Sequence, residues 1–457
     1  MTSSWTPGDA GRYPLRELVG AGLLVPLVHG GEARYANLDY AASAPSLAQV
    51  AARVAEVLPW YSSVHRGSGY LSLVSTSLYE SARATLHRFL GARTDDVVIF
   101  TRNTTDSLNL LAEAVPNGSR PKGREIVYLD IEHHANLLPW QSRDNHCVIA
   151  GGTLEETLDR LEAALEKSPV SLVAITGASN VTGEAVPLSS VVQMAHAHGA
   201  RVAVDGAQLA PHRRIDLSAL DADYLALSGH KCYAPFGAGV LVGRRDWLDE
   251  APAHLAGGGA IERVTVEHTD WASAPDRHEG GTPNAIGAIA LAEASIVLDE
   301  LLTDGSLAAH EDALRRRLVA GLGSLPGVRL LRIWEDSTDA VGVVAFEVVG
   351  HEPGLVATYL ASEHGLGVRA GKFCAHPLID RINAGRSALR ASVGIGTVTE
   401  DVDRLVDGLE SYLDSAPVKG YSLVDGSYAP DEDDRWAPLP GVDLRDPSRA
   451  PVRSLRQ

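Results

Sequence analysis

The stretch "RVAVDGAQLAPHRRIDLSALDADYLALSGHK", residues 201–231, decides how the chain is read. Two short apolar runs, "RVAVD" and "DYLALS", flank a turn-and-helix pattern. Each ends on polar residues: Asp205 in the first, Ser228, His230 and Lys231 in the second. The same alternation extends upstream. "DVVIF" precedes "TTDSLNLLAEAV", "EIVYLD" precedes "ANLLPWQSR", and "SLVAIT" precedes the helical pattern "LSSVVQMAHAHGA". The segment "TLEETLDRLEAALEKS" has apolar residues at helical spacing and opens with Thr153 as its N-cap. Strands that are apolar throughout and alternate with helices predict an α/β fold, with a mostly parallel sheet covered by helices on both faces. Ligands on such sheets bind beyond the carboxyl ends of the strands, so residues at those ends are the candidates for function.

Farther along, "NAIGAIALAEASIVLDELL" reads as a long connecting helix, and alternating helix and strand patterns after it suggest a smaller α+β domain. The expected division has four parts. Residues 1–45 pack with the small domain, 46–297 form the large domain and 298–415 the small one. Residues 416–457 are a Pro- and Asp-rich tail without periodicity, extended or partly disordered.

The 457 residues are 45% apolar and 21% charged, with a net charge of −18, a composition suited to a globular chain with a large and a smaller domain. Charges of both signs are interspersed. An acidic chain without a basic face is not expected to bind nucleic acid or an anionic membrane. The opening residues show no signal-peptide pattern, and the apolar stretch "LVGAGLLVPLVHGG" contains Pro26 and is too short to span a bilayer. The three cysteines, Cys147, Cys232 and Cys374, lie far apart without a CxxC pair. They indicate neither a disulfide framework nor a metal site, and a cytoplasmic location is expected. Cys147 reads as core and Cys232 as packing at a turn.

Lysine is scarce, five residues against thirty-five arginines. Lys231 follows an apolar strand and precedes the turn "CYAPFGAG", where desolvation lowers the pKa of an amine and lets it form a Schiff base with an aldehyde. Pyridoxal phosphate is an aldehyde cofactor held in this way. It also needs a carboxylate for its ring nitrogen, a phosphate cradle and a group stacked on its ring. Asp205, ending a strand, is placed for the ring nitrogen. Gln208 and Asn180 are both candidates for the phenolic oxygen. Thr104 and Thr105 open a helix directly after a strand, where free N–H groups and hydroxyls meet an anion. Ser228 and His230 add donors from the other side, and His133 follows a strand in position to stack.

With these residues assembled, the chain resembles the fold-type I pyridoxal-phosphate enzymes of the class V aminotransferase family, nearest the compact-loop subgroup of the cysteine desulfurase/selenocysteine lyase group. The matching motifs are "LDYAASAPS", "VHRGSGYLS", "EHHANLLPWQ", "SNVTGEAVPL", "VDGAQLAPHRRIDL", "SGHKCYAPFGAG", "GGTPNAIG", "VRAGKFCAHPL" and "RASVGIGTVTEDVDRL", which run from about residue 35 to 410. The resemblance implies a seven-stranded, mostly parallel sheet in the large domain. It implies that Lys231 carries the cofactor and shuttles protons, Asp205 pairs with the ring nitrogen, and His133 stacks and acts in acid/base steps. It implies further that Thr105, Ser228 and His230 hold the phosphate, that Gln208 and Asn180 address the phenolic oxygen and the substrate, and that Arg390 clamps the substrate carboxylate. Thr282 would reach the phosphate in a partner subunit, which implies a homodimer with shared active sites. His65 matches a position near the cofactor and substrate, with a structural role equally open.

Cys374 matches the cysteine that in desulfurases takes the sulfur of L-cysteine as a persulfide, leaving alanine, before a sulfur-acceptor protein receives it. It lies in a loop beside Lys372, a setting that suits a thiolate. Other amino-acid chemistry on the same cofactor stays open: an aminotransferase, an epimerase, or a lyase of C–C or C–S bonds. Two features depart from the subgroup. Lys372 and Phe373 stand where it has histidines, and Gly396 and Thr397 replace an aromatic residue and an asparagine. The second change suggests a more open flank to the substrate pocket.

Overall fold

Seven strands form the central sheet of the computed structural model, which describes residues 10–65, 67–116, 125–415, 417–440 and 442. In spatial order they are Val97–Thr101, Gly239–Gly243, Tyr224–Ser228, Arg201–Asp205, Val170–Thr176, Glu125–Leu129 and Asn145–Val148. Gly239–Gly243 runs antiparallel to both of its neighbours, and the other pairings in the sheet are parallel. Every residue of Val170–Thr176 and of Tyr224–Ser228 is buried, as strands covered on both faces require. The parallel direction brings Thr176, Asp205 and Ser228 to the same edge of the sheet.

The helix Thr104–Ala114 begins at that edge. Asn103 caps it, its side chain accepting from the Asp106 N–H at 3.0 Å. Helix Leu154–Lys167 is capped by Thr153, whose hydroxyl accepts from the Glu156 N–H at 3.1 Å. The helical expectation for "ANLLPWQSR" is corrected. Those residues form two short 3₁₀ turns, His134–Asn136 and Leu138–Ser142. Pro139 supplies no N–H for a continuous helical ladder.

A second sheet, Val328–Leu331, Val343–Val348, Ala388–Ser392 and Arg369–Gly371, is antiparallel. Helices Ser306–Ser324, Pro353–His364 and Thr399–Asp414 surround a separate core cluster with it, and Ala36 and Leu38 from the N-terminal segment join that cluster. The main core spans both units, running from Val173 and Val204 to Val343, Phe373 and Ala388. Polar ties reinforce the junction. Trp334 Nε1 donates to Thr157 Oγ1 at 2.8 Å, and His212 Nδ1 lies 2.8 Å from the buried Glu311 carboxylate.

The segment after residue 416 holds more order than its composition suggests. Tyr421–Val424 and Ser427–Pro430 form an antiparallel hairpin. It docks on helix Pro353–His364, where Tyr421 Oη donates to Glu363 Oε1 at 2.9 Å and the Val418 N–H donates to Glu363 Oε2 at 3.2 Å. Residues 416, 441 and 443–457 of that expected tail lie outside the described residues, as do residues 1–9 of the N-terminal segment. Among the described residues, no helix is long and apolar enough to cross a membrane.

Candidate active site

The carboxyl ends of the central strands open on a cleft of about 260 Å³. Thr104, Thr105, His133, Asn180, Asp205, Gln208, Ser228, His230, Lys231, Cys374 and Arg390 all line it. Residues from 104 to 390 thus meet at one place because each lies at or just beyond a strand end or on the facing small sheet.

Lys231 is half-buried, and its side chain opens onto the cleft. Burial lowers its pKa from 10.5 to about 8, with Asp205 opposing the shift and Arg390 adding to it. Burial raises the pKa of Asp205, while the Ala207 N–H, donating to Oδ1 at 2.9 Å, and the charge of Lys231 favour the ionised form. Lysine and aspartate are therefore each pushed toward neutrality by the same enclosure.

His133 is held as a neutral ring. Burial, followed by the charge of Lys231, pushes its pKa down to about 3. Its Nδ1 accepts from the Ala135 N–H at 3.0 Å, which leaves the proton on Nε2. The preceding residue anchors this segment. Glu132, fully buried and held well above the usual carboxylate range by desolvation, accepts from the Thr176 N–H at 3.1 Å and from Asn136 Nδ2 at 2.6 Å. His230 is likewise pushed down, to about 4, first by burial and then by Lys231.

The N-terminus of helix Thr104–Ala114 is joined to the neighbouring strand end. Thr104 N–H donates to Ser228 Oγ at 2.8 Å, and the two hydroxyls also lie 2.8 Å apart. First-turn N–H groups lack partners within their own helix and favour an anion. The acidic Asp106 in this turn is neutralised by Arg102 at 2.8 Å and His254 at 3.0 Å.

Arg390 faces the cleft from the small sheet. Nη1 donates to the Asn180 carbonyl at 2.8 Å and Nη2 to Asp39 Oδ1 at 2.8 Å, while the buried Nε has no partner. The guanidinium lies 5.1 Å from the centre of the Phe373 ring. Burial depresses its pKa, and Asp39 opposes that. The amides of Asn180 and Gln208 both carry backbone contacts: Asn180 Nδ2 donates to the Phe373 carbonyl, and Gln208 Nε2 to the Ala41 carbonyl, each at 2.7 Å.

Cys374 is exposed and sits in the turn between strand Arg369–Gly371 and helix His376–Ile382. Phe373 and Cys374 have φ of 53° and 54°, a left-handed conformation that costs roughly 1–2 kcal/mol at a non-glycine residue. The thiol lies within electrostatic reach of Lys231 and Arg390. Lys372, read from sequence as the nearby cation, is instead paired with Asp380 at 2.7 Å. Burial pushes the other two thiols up, Cys147 to about 11 and Cys232 to about 12, which removes both as nucleophiles near neutrality.

Two expected residues lie outside this cleft. Thr282 lines a separate cavity of about 340 Å³ with Tyr79, Arg102 and His254. His65 pairs with Glu80 at 2.8 Å, with its own φ at 64°. The expectation of a pocket opened by Gly396 and Thr397 is corrected, because neither lines the cleft: Thr397 is buried, and the half-buried Gly396 packs closely on Leu18. A Cβ at Gly396 would come 2.4 Å from Leu18 Cδ1, and Thr397 Oγ1 accepts from the Gly394 N–H at 2.9 Å. Conversely, Asn103, Arg369 and Phe373 line the cleft without a role assigned from sequence. Asp39, which orients Arg390 and lies 3.7 Å from Arg369, was also missed. The pairing of Asp39 with Arg390 spans most of the chain and has no local signature.

The profile of the family described as Aminotransferase class-V matches residues 36–405. The chain belongs to that family. Within it, a protein from Dickeya dadantii named cysteine desulfurase is 37% identical over 381 residues, covering 82% of this chain and 91% of the relative. A cysteine desulfurase from an Enterobacter species is 39% identical over 82% of this chain and 92% of its own length. Among solved structures, the cysteine desulfurase CsdA of Escherichia coli superposes with a TM-score of 0.74 at 30% identity, covering 90% of this chain and 99% of that one. A cysteine desulfurase from Thermococcus onnurineus gives 0.76 at 30% identity with the same coverage. These likenesses agree with the class V aminotransferase fold described above, a seven-stranded, mostly parallel sheet with a smaller α+β unit.

Proposed function

We propose that this class V family member is a pyridoxal-phosphate-dependent cysteine desulfurase that converts L-cysteine to L-alanine and takes the sulfur onto Cys374. The observation that carries this reading is Cys374 at the cleft of Lys231 and Asp205, in a chain 37% identical to a protein named cysteine desulfurase. The cleft's donor set fits the cofactor. Hydroxyls of Thr104, Thr105 and Ser228 at a helix N-terminus suit a phosphate, Asp205 suits a protonated ring nitrogen, and the neutral ring of His133 suits stacking. Lys231, with its lowered pKa, suits covalent attachment of an aldehyde.

When bound, pyridoxal phosphate supplies an electron sink for charge that develops at the α-carbon of an amino acid. Lys231 Nζ takes the α-proton, which a pKa of about 8 makes effective near neutral pH. Arg390 orients the substrate carboxylate through the guanidinium N–H groups it does not give to Asp39 and the Asn180 carbonyl, which fix the plane of the fork. Cys374 Sγ attacks the substrate sulfur. The C–S bond of the substrate breaks and an S–S bond forms on the enzyme. The former Cβ takes a proton, so one thiol and one L-cysteine become one persulfide and one L-alanine. A second protein then receives the sulfur.

Thr282, in the "GGTPN" motif that the chain shares with its family, would serve the cleft of a partner subunit in a homodimer; within its own chain it lines a separate cavity. His65 also lies outside the cleft of its own chain, tied to Glu80 at 2.8 Å and edge-on to Tyr79, which favours the structural of its two readings. All three cysteines are free, which supports a cytoplasmic setting. Mass spectrometry of the loaded protein after a single turnover with L-cysteine tests the reading. The expected result is one added sulfur atom on the Cys374 peptide and none on the Cys147 or Cys232 peptides. A turnover that yields alanine with unmodified Cys374 would sink it.

A further inference from the structure

Resting on that reading, the geometry points to His134 and His376 as a brace that holds the Cys374 turn in position for sulfur transfer, which makes His134 a positioning residue. The turn stands between two cavities. The cleft lies on one side. On the other is a cavity of about 530 Å³ lined by Asn109, Glu113, His134, Leu138, Ser142 and Arg143, among others. Cys374 lines both. A residue that takes sulfur in one cavity and presents it in the other needs a defined resting place, yet two successive left-handed residues do not hold themselves.

The surroundings over-determine the turn. Asn180 Nδ2 holds the Phe373 carbonyl at 2.7 Å, and the Ala375 N–H donates to the Lys372 carbonyl at 2.9 Å. His134 contributes two further contacts from across the junction. Its backbone N–H donates to the Cys374 carbonyl at 2.8 Å, and its ring Nε2 accepts from the His376 N–H at 3.4 Å. The His376 ring closes against the His134 ring edge-on, with centres 4.6 Å apart and planes at 77°. Accepting from an N–H requires a bare Nε2. Burial and the neighbouring His376 both lower the pKa of His134 and keep it in that form. His134 also follows His133 directly, so the segment that presents a ring to the cofactor fixes the distance from there to the sulfur. The histidines missing just before Cys374 are thus answered by two others packed around it.

The test joins amide hydrogen exchange to single-turnover kinetics on the loaded protein. Wild type is compared with His134→Ala, His134→Gln and His376→Ala. Each variant keeps the backbone N–H of residue 134, and glutamine restores a side-chain acceptor. In His134→Ala, exchange at the His376 amide is expected to rise at least about tenfold, and persulfide formation on Cys374 to slow about tenfold or more with KM unchanged. His134→Gln is expected to recover most of both, and His376→Ala to give a smaller change in the same direction. The cofactor's visible absorption stays at the wild-type value throughout. Unchanged exchange and unchanged transfer in His134→Ala would overturn the brace, as would a loss that glutamine fails to rescue. A wild type that forms no persulfide while the His376 amide stays protected would overturn the functional reading and leave the brace as geometry.

Discussion

The state of Lys231 gives the most quantitative prediction. Enclosure lowers its pKa from 10.5 to about 8. At pH 7 roughly a tenth of such amines are unprotonated, against about 0.03% for an ordinary lysine, a difference of roughly 300-fold in nucleophilic species. Capture of pyridoxal phosphate by the cofactor-free protein reads this directly, through the growth of the bound cofactor's absorption under stopped flow from pH 6 to 10. The second-order rate is expected to rise about tenfold per unit below pH 8 and to level off above it. The cofactor has titrations of its own, so a variant supplies the reference. Asp205 raises the pKa of Lys231, so Asp205→Asn moves the bend to lower pH. Taking the variant profile relative to wild type cancels what belongs to the cofactor. A rate that climbs without a bend through pH 10 in both proteins would refute the argument, and so would a bend that moves upward in Asp205→Asn.

Three further outcomes are expected. Glu311→Gln removes the buried carboxylate that His212 Nδ1 meets at 2.8 Å and Arg213 Nη1 at 3.4 Å, and should cost about 1–3 kcal/mol in urea unfolding. The Glu311 carboxyl is held below its usual pKa, most strongly by His212 among the lowering causes, so its contribution is present above the unfolded value and lost as pH falls through the folded one. The difference between wild type and variant should therefore shrink below about pH 4.5. Truncation after Ser415 removes the Tyr421, Val418 and Lys419 donors from the buried Glu363 carboxylate, at a cost of about 1–3 kcal/mol, read as a lower Tm with cofactor absorption retained. Finally, mixing an inactive Lys231→Ala protein with an inactive Thr282→Glu protein should restore part of the activity through hybrid dimers. Activity that stays at the level of the separate variants would argue against shared sites.

The legible part of the site consists of residues whose position follows from a local pattern. Asp205, Ser228 and Lys231 end or follow apolar strands, and a parallel sheet brings such ends together whatever the loops do. Thr104 and Thr105 are visible because a helix N-terminus after a strand has its own signature. Contacts set by the small sheet were harder to read. Asp39 and Arg369 matter only because Arg369 and Arg390, opposite each other on adjacent strands of the small sheet, both reach the Asp39 carboxylate from far along the chain. Nor does sequence adjacency give direction. Lys372 precedes Cys374 by two residues yet spends its charge on Asp380, and the Gly396 and Thr397 replacements face Leu18 and Tyr40 rather than the substrate side. The hairpin at residues 421–430 was legible but passed over: Asp425 and Gly426 form its two-residue turn with φ of 49° and 85°, the conformation an Asp-Gly pair favours, and docking on helix Pro353–His364 adds to that local preference.

The central claim is that Cys374 takes sulfur from L-cysteine. The most direct measurement is alanine and sulfide production from L-cysteine with a thiol reductant, wild type beside Cys374→Ala, both fully loaded with cofactor. The account predicts equal amounts of alanine and sulfide from wild type and neither from the variant, with unchanged cofactor absorption. A loaded wild type that is inert on L-cysteine but transfers the amino group of another amino acid, or cleaves another substrate, would contradict it. Equal rates in the two proteins would contradict it as well.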